Sequence, residues 1–116
     1  MEETMYLEVE IIDNSVFKDD ITDGHEIRHG TSIEPLPGAS IVVQGVIPKR
    51  SVESGYILEL IITFGMGVST SMLANWLYER LKGKAKAIRT KRTEIEIEKD
   101  KIKKILVEEI ESHLSD

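Results

Sequence analysis

The chain has no cysteine, which excludes both a disulfide framework and thiolate chemistry. Aromatic residues are scarce, with one Trp, two Phe and three Tyr, and none is interleaved with the basic cluster described below. Base stacking by that cluster therefore has no platform, and nucleic acid is not an expected partner. Positive charge is nearly missing from residues 1–40, where ten acids face only Lys18 and Arg28. The first residues lack the basic and apolar regions of a signal peptide, so a cytoplasmic location is the expectation. No repeat or low-complexity segment is visible.

What is present suits one globular domain. The 116 residues are 41% hydrophobic and 31% charged, and a chain of this length builds a single core. The net charge is −6, from 15 basic and 21 acidic residues. Residues 80–92 reverse that sign, with Arg80, Lys82, Lys84, Lys86, Arg89, Lys91 and Arg92 and no acid. Such a stripe could attract an anion; its plainer role is a solvated hairpin edge guarded by lysine.

Periodicity sets the expected elements. Residues 5–12 alternate in part and read as a strand. Ser15 is placed to cap a short helix ending before Gly24, and residues 41–47 form a β-branched strand weakened by Gly45. Residues 60–78 are nineteen positions without a formal charge. Leu58, Ile61, Ile62, Gly65, Val68, Ser69, Met72, Leu73, Trp76 and Leu77 follow helical spacing, so one long helix is expected over 52–81. Within residues 84–98, Ile95 and Ile97 alternate with Glu94, Glu96 and Glu98, the clearest strand signal and the second arm of a hairpin. Asp100 is the expected N-cap of a closing helix over 100–114, with Ile102, Ile105, Leu106, Ile110 and Leu114 as its apolar stripe. The expected fold is α+β: residues 1–50 supply a strand, a short helix and extended loops, and a small antiparallel sheet packs on one long central helix and an amphipathic C-terminal helix.

Three motifs carry possible chemistry. His25-Glu26-Ile27-Arg28-His29 matches the H-E-x-x-H pattern, in which two imidazoles one helical turn apart hold zinc and the glutamate activates water. Here it lies between Gly24 and Gly30 with no apolar helix to carry it, so a chance match is the plainer reading and no cofactor is expected. Phe64-Gly65-Met66-Gly67-Val68-Ser69-Thr70-Ser71 can alternatively be read as strand 56–64 turning through small residues into a helix. The amides of that helix start would cradle phosphate, with Gly65, Gly67, Ser69, Thr70, Arg89, Lys91 and Arg92 as the anion-binding set. This loop resembles the phosphocysteine loop of phosphotransferase-system IIB domains, without its nucleophilic Cys. A third reading takes 60–78 as a membrane span followed by basic residues. A core helix is preferred to both. At about 30 residues it would be roughly 45 Å long, more than so small a domain needs. Its surplus surface at Phe64, Met66, Gly67, Ser71, Ala74 and Trp76 is expected to meet another protein or another copy, packing through Gly67, Ser71 and Ala74.

The run Ala74-Asn75-Trp76-Leu77-Tyr78-Glu79-Arg80-Leu81, followed by a hairpin and a closing helix, resembles a recurrent bacterial domain. It is similar to the effector-associated constant component of prokaryotic conflict systems. The first half fits as well, with Glu26-Ile27-Arg28-His29-Gly30 and Pro35-Leu36-Pro37-Gly38 ahead of the apolar segment. The resemblance spans roughly the whole chain; Tyr78 and the lysine-rich tail replace an arginine-rich helix end. It implies an accessory or adaptor module without catalytic activity.

Overall fold

The computed structural model describes residues 3–12, 15–21, 27–49, 55–65, 67–90 and 93–114, with side chains described between Thr4 and Glu108. Strand β1 (Glu3–Ile11) is followed by a turn of 3-10 helix (Lys18–Asp20), β2 (Ser32–Ile33), β3 (Ala39–Pro48) and β4 (Tyr56–Phe64). Helix α1 (Thr70–Leu81), strands β5 (Ala85–Arg89) and β6 (Glu94–Glu96) and helix α2 (Lys99–Leu114) complete the order. The six strands form one antiparallel sheet in the order β2-β3-β4-β1-β5-β6. The α+β class is as expected; the single long central helix is not.

The expected helix over 52–81 is instead a strand, a loop and a shorter helix. Residues 56–64 alternate as Leu58, Leu60, Ile62 and Phe64 inward, with Ile57, Glu59, Ile61 and Thr63 between them on the other face. That period-2 order, rich in β-branched residues, suits a pleated sheet covered on one side. β4 pairs with β1 and β3 along its whole length. Gly65 and Gly67, the latter at φ +100°, turn the chain before Ser69 caps α1 by accepting a hydrogen bond from Met72 N. The alternative reading of strand 56–64 running through small residues into a helix therefore describes the local structure.

Leu73, Ala74, Leu77 and Leu81 form the buried stripe of α1, and Ile102, Ile105 and Leu106 that of α2. Both helices cover the face formed by Met5, Leu7, Val9 and Ile11 of β1, Ile41 and Val43 of β3, and the inward residues of β4. α2 begins at Lys99, with Ile102 N donating to Glu98 O, so Asp100 lies in its first turn rather than at its cap. Residues 15–21 pack on the same side, although the expected short helix shrinks to one 3-10 turn. Phe17 adopts φ 65°, which is costly for a bulky residue. It is held there by burial and by stacking on Trp76 at 5.5 Å. The Trp76 ring also carries the Arg80 guanidinium at 4.7 Å.

Candidate functional site

The opposite face of the sheet is crossed by no helix or loop among the described residues, and its side chains follow from the register. One row runs Val42, Ile61, Tyr6 across β3, β4 and β1. The next runs Gly45, Glu59, Glu8, Arg89, Glu94 across five strands, and the third runs Ile47, Ile57, Glu10, Ala87, Glu96. Val42 and Ile47 are exposed at 38% and 46%, and Ile57 and Ile61 are half-buried. On β3 and β4 the face thus carries two aliphatic pairs, Val42 with Ile61 and Ile47 with Ile57, separated by Glu59, and most of the other charged side chains stand on β1, β5 and β6.

Two polar clusters organise it. Glu10 is only 8% exposed; Lys49 pairs with its Oε1 and Arg89 with its Oε2 at 2.7 Å. Arg89 also donates from Nε to Glu94 at 2.9 Å. A carboxylate so deeply placed is stable as an ion only because both oxygens are met by cations.

In the second cluster the Tyr6 hydroxyl lies 2.7 Å from Glu59 and 3.0 Å from Glu8. These two glutamates stand directly opposite one another on neighbouring strands, an arrangement that like charges oppose. A phenol has one proton for the two carboxylates. Burial, then the bonds to Glu59 and Glu8, push the Tyr6 phenol well above the ordinary tyrosine range.

Gly45 makes the cluster possible. β3 bulges between Val43 and Gly45, and a Cβ at Gly45 would lie 2.5 Å from Glu59 Oε1. The missing side chain is the space into which that carboxylate folds. The Gly that weakens residues 41–47 as a strand is thus a bulge with a positional purpose.

The anticipated site residues are scattered. Phe64 and Ala74 are core residues, Gly67 precedes α1 rather than lying on it, and Ser71 is exposed. The small-residue stripe Gly67, Ser71, Ala74 therefore does not share one helix face; Trp76 is half-buried against Phe17 and Arg80. Met66 lies outside the described residues. In the anion-binding set, Gly65, Gly67, Ser69 and Thr70 sit where β4 passes into α1 on the helix-covered side. Arg89 is on the open face, engaged with Glu10 and Glu94, so the two parts do not converge; Lys91 and Arg92 lie outside the described residues.

His25 and Glu26 also lie outside the described residues. His29 is exposed in a turn closed by Thr31 N donating to Arg28 O, and no helix carries the described part of the motif. Among the described residues no group of three His, Asp or Glu is arranged to hold a metal, and no helix is long and apolar enough to cross a membrane. Between the first turns of the helices lies a groove of about 370 Å³, lined by Ser71, Met72, Ala74 and Asn75 of α1 with Lys99, Asp100 and Lys103 of α2.

Sequence reasoning missed Tyr6, Glu8, Glu10, Lys49 and Glu59 as a group. The available signal was Glu59 in the middle of an apolar strand, on the same parity as Glu8 and Glu10 once β4 is taken as a strand. No protein-family model, curated protein or solved structure matches the chain.

Proposed function

We propose that this chain is a non-catalytic interaction module whose contact surface is the face of its sheet that no described helix or loop crosses. The observation that carries the reading is the asymmetry of the sheet. One face is buried under α1, α2 and residues 15–21, while the other offers Val42, Ile47, Ile57 and Ile61 beside two hydrogen-bonded polar clusters. Sheets buried on one side normally put polar residues on the other; two aliphatic pairs there, on either side of Glu59, mark a surface that another molecule covers. The polar groups are tied to one another through Tyr6, Glu10 and Arg89, which suits a preorganised contact surface rather than proton transfer. The partner is a protein, either a different chain or another copy, and the resemblance to accessory components of bacterial conflict systems supports a role beside an effector.

Site-specific photo-crosslinking in the native host tests this. A photoreactive residue at Ile57 or Ile61 should give discrete protein adducts, and one at the exposed Lys103 of α2 should not. Adducts confined to Lys103, or absent from both sheet positions, would overturn the reading.

A further inference from the structure

The open face is selective in charge as well as apolar, and we infer that its partner is a basic amphipathic helix. The inference rests on the proposed interaction role and names the chemistry of its partner. By register the face carries Glu8, Glu10, Glu59, Glu94 and Glu96. Against them stand Lys49, paired with Glu10, and Arg89, shared between Glu10 and Glu94, while Lys101 reaches Glu96 at 3.5 Å. Among the described residues the face is therefore acidic even with these pairs formed. A second copy laid on it would bring Glu8 and Glu59 toward like charge, which disfavours self-pairing. An anionic surface is disfavoured for the same reason.

The pair Glu8 and Glu59 shows where a cation would go. The single phenolic proton of Tyr6 can be donated to one carboxylate at a time, although both lie within hydrogen-bonding distance of the hydroxyl. A lysine ammonium or arginine guanidinium placed over the pair supplies the missing donors and cancels the opposed charge. Its neighbours on the face are Ile57 and Ile61, which flank Glu59 on β4, and Val42 and Ile47 on β3. A helix laid across β3 and β4 would bury these aliphatic side chains under one apolar stripe. A cation on that helix would then reach the carboxylates of Glu59 on β4 and Glu8 on β1.

The test uses the full chain and a synthetic helical peptide of leucine and lysine, patterned with one apolar and one basic face. A leucine–glutamate peptide of the same pattern and a scrambled leucine–lysine peptide serve as controls. Backbone amide shifts should move for residues of β1, β3 and β4 and not for those lining the α1–α2 groove. The double variant Glu8→Gln, Glu59→Gln should weaken binding by at least about tenfold with an otherwise native spectrum, and Ile61→Ser should weaken it separately. Equal binding of the scrambled peptide, shifts centred on the groove, or no loss in the double variant would overturn the inference. So would face-to-face dimerisation in sedimentation that Ile61→Lys abolishes. Crosslinks at Ile57 to a partner lacking a basic helix would sink the inference while leaving the interaction role standing.

Discussion

Arg80 holds both carboxylate oxygens of Asp20, through Nε at 2.9 Å and Nη2 at 3.1 Å, while its guanidinium lies over the ring of Trp76. One side chain near the end of α1 thereby fixes the segment that carries Phe17 in its left-handed conformation. Asp20 is the largest reason that the Arg80 pKa is raised. Arg80→Met should lower stability by about 1–2 kcal/mol, from the lost bidentate pair and ring contact. A double-mutant cycle with Asp20→Asn in chemical denaturation should show a coupling near 1 kcal/mol. Additive losses would mean the pair contributes nothing beyond its members.

The arrangement around Glu10 leads to a larger effect. Glu10→Gln leaves Lys49 and Arg89 facing a neutral amide and should cost about 3 kcal/mol in denaturant unfolding. Replacing the triad together, as Glu10→Met, Lys49→Met and Arg89→Leu, should recover most of that loss. A triple variant as unstable as the single one would show that the cost is steric.

Tyr6 predicts an alkaline dependence of defined sign. Folding raises its phenol pKa, so the folded protein holds that proton more tightly than the unfolded chain. The resulting stabilisation is complete below the unfolded value of about 10 and is lost as pH rises toward the folded value. Wild-type stability should therefore slope downward above about pH 10, and Tyr6→Phe should remove that component of the slope. Ultraviolet difference titration of wild type against Tyr6→Phe should place the Tyr6 ionisation above the ordinary tyrosine range in the folded protein.

Gly55 stands at φ +150°, where an added Cβ would lie 2.6 Å from Ile11 O. Gly55→Ala should destabilise by about 1–3 kcal/mol, because neither backbone can yield without breaking strand pairing. Gly83→Ala, at φ +76° with open space around it, should cost less. Thermal melts of the two variants decide the order.

The hairpin and closing helix were legible because Ile95 and Ile97 alternate with glutamate and because Ile102, Ile105 and Leu106 keep helical spacing. The middle of the chain was not. Leu58, Ile61, Ile62 and Gly65 satisfy helical spacing, while Leu58, Leu60, Ile62 and Phe64 satisfy strand spacing within the same run. A stretch apolar on both faces lets both templates match. Gly55, Gly65 and Gly67, taken as breakers, with the β-branched Ile57, Ile61, Ile62 and Thr63, favour the strand. The candidate site depended on that choice, since Glu59 meets Glu8 and Tyr6 only when residues 56–64 are extended. Gly45 likewise gains its meaning only from a neighbour fourteen residues away.

The strand order also constrains how the protein is made. β1 is translated first yet lies in the middle of the sheet, with Glu8 opposite both Glu59 and Arg89. On the ribosome it must wait for β4 on one edge and β5 on the other, while β3 and β4 can zip together as soon as they emerge. A strand with one apolar face left open on both edges during elongation is a natural client for a holding chaperone, and closure by such distant pairings is slow.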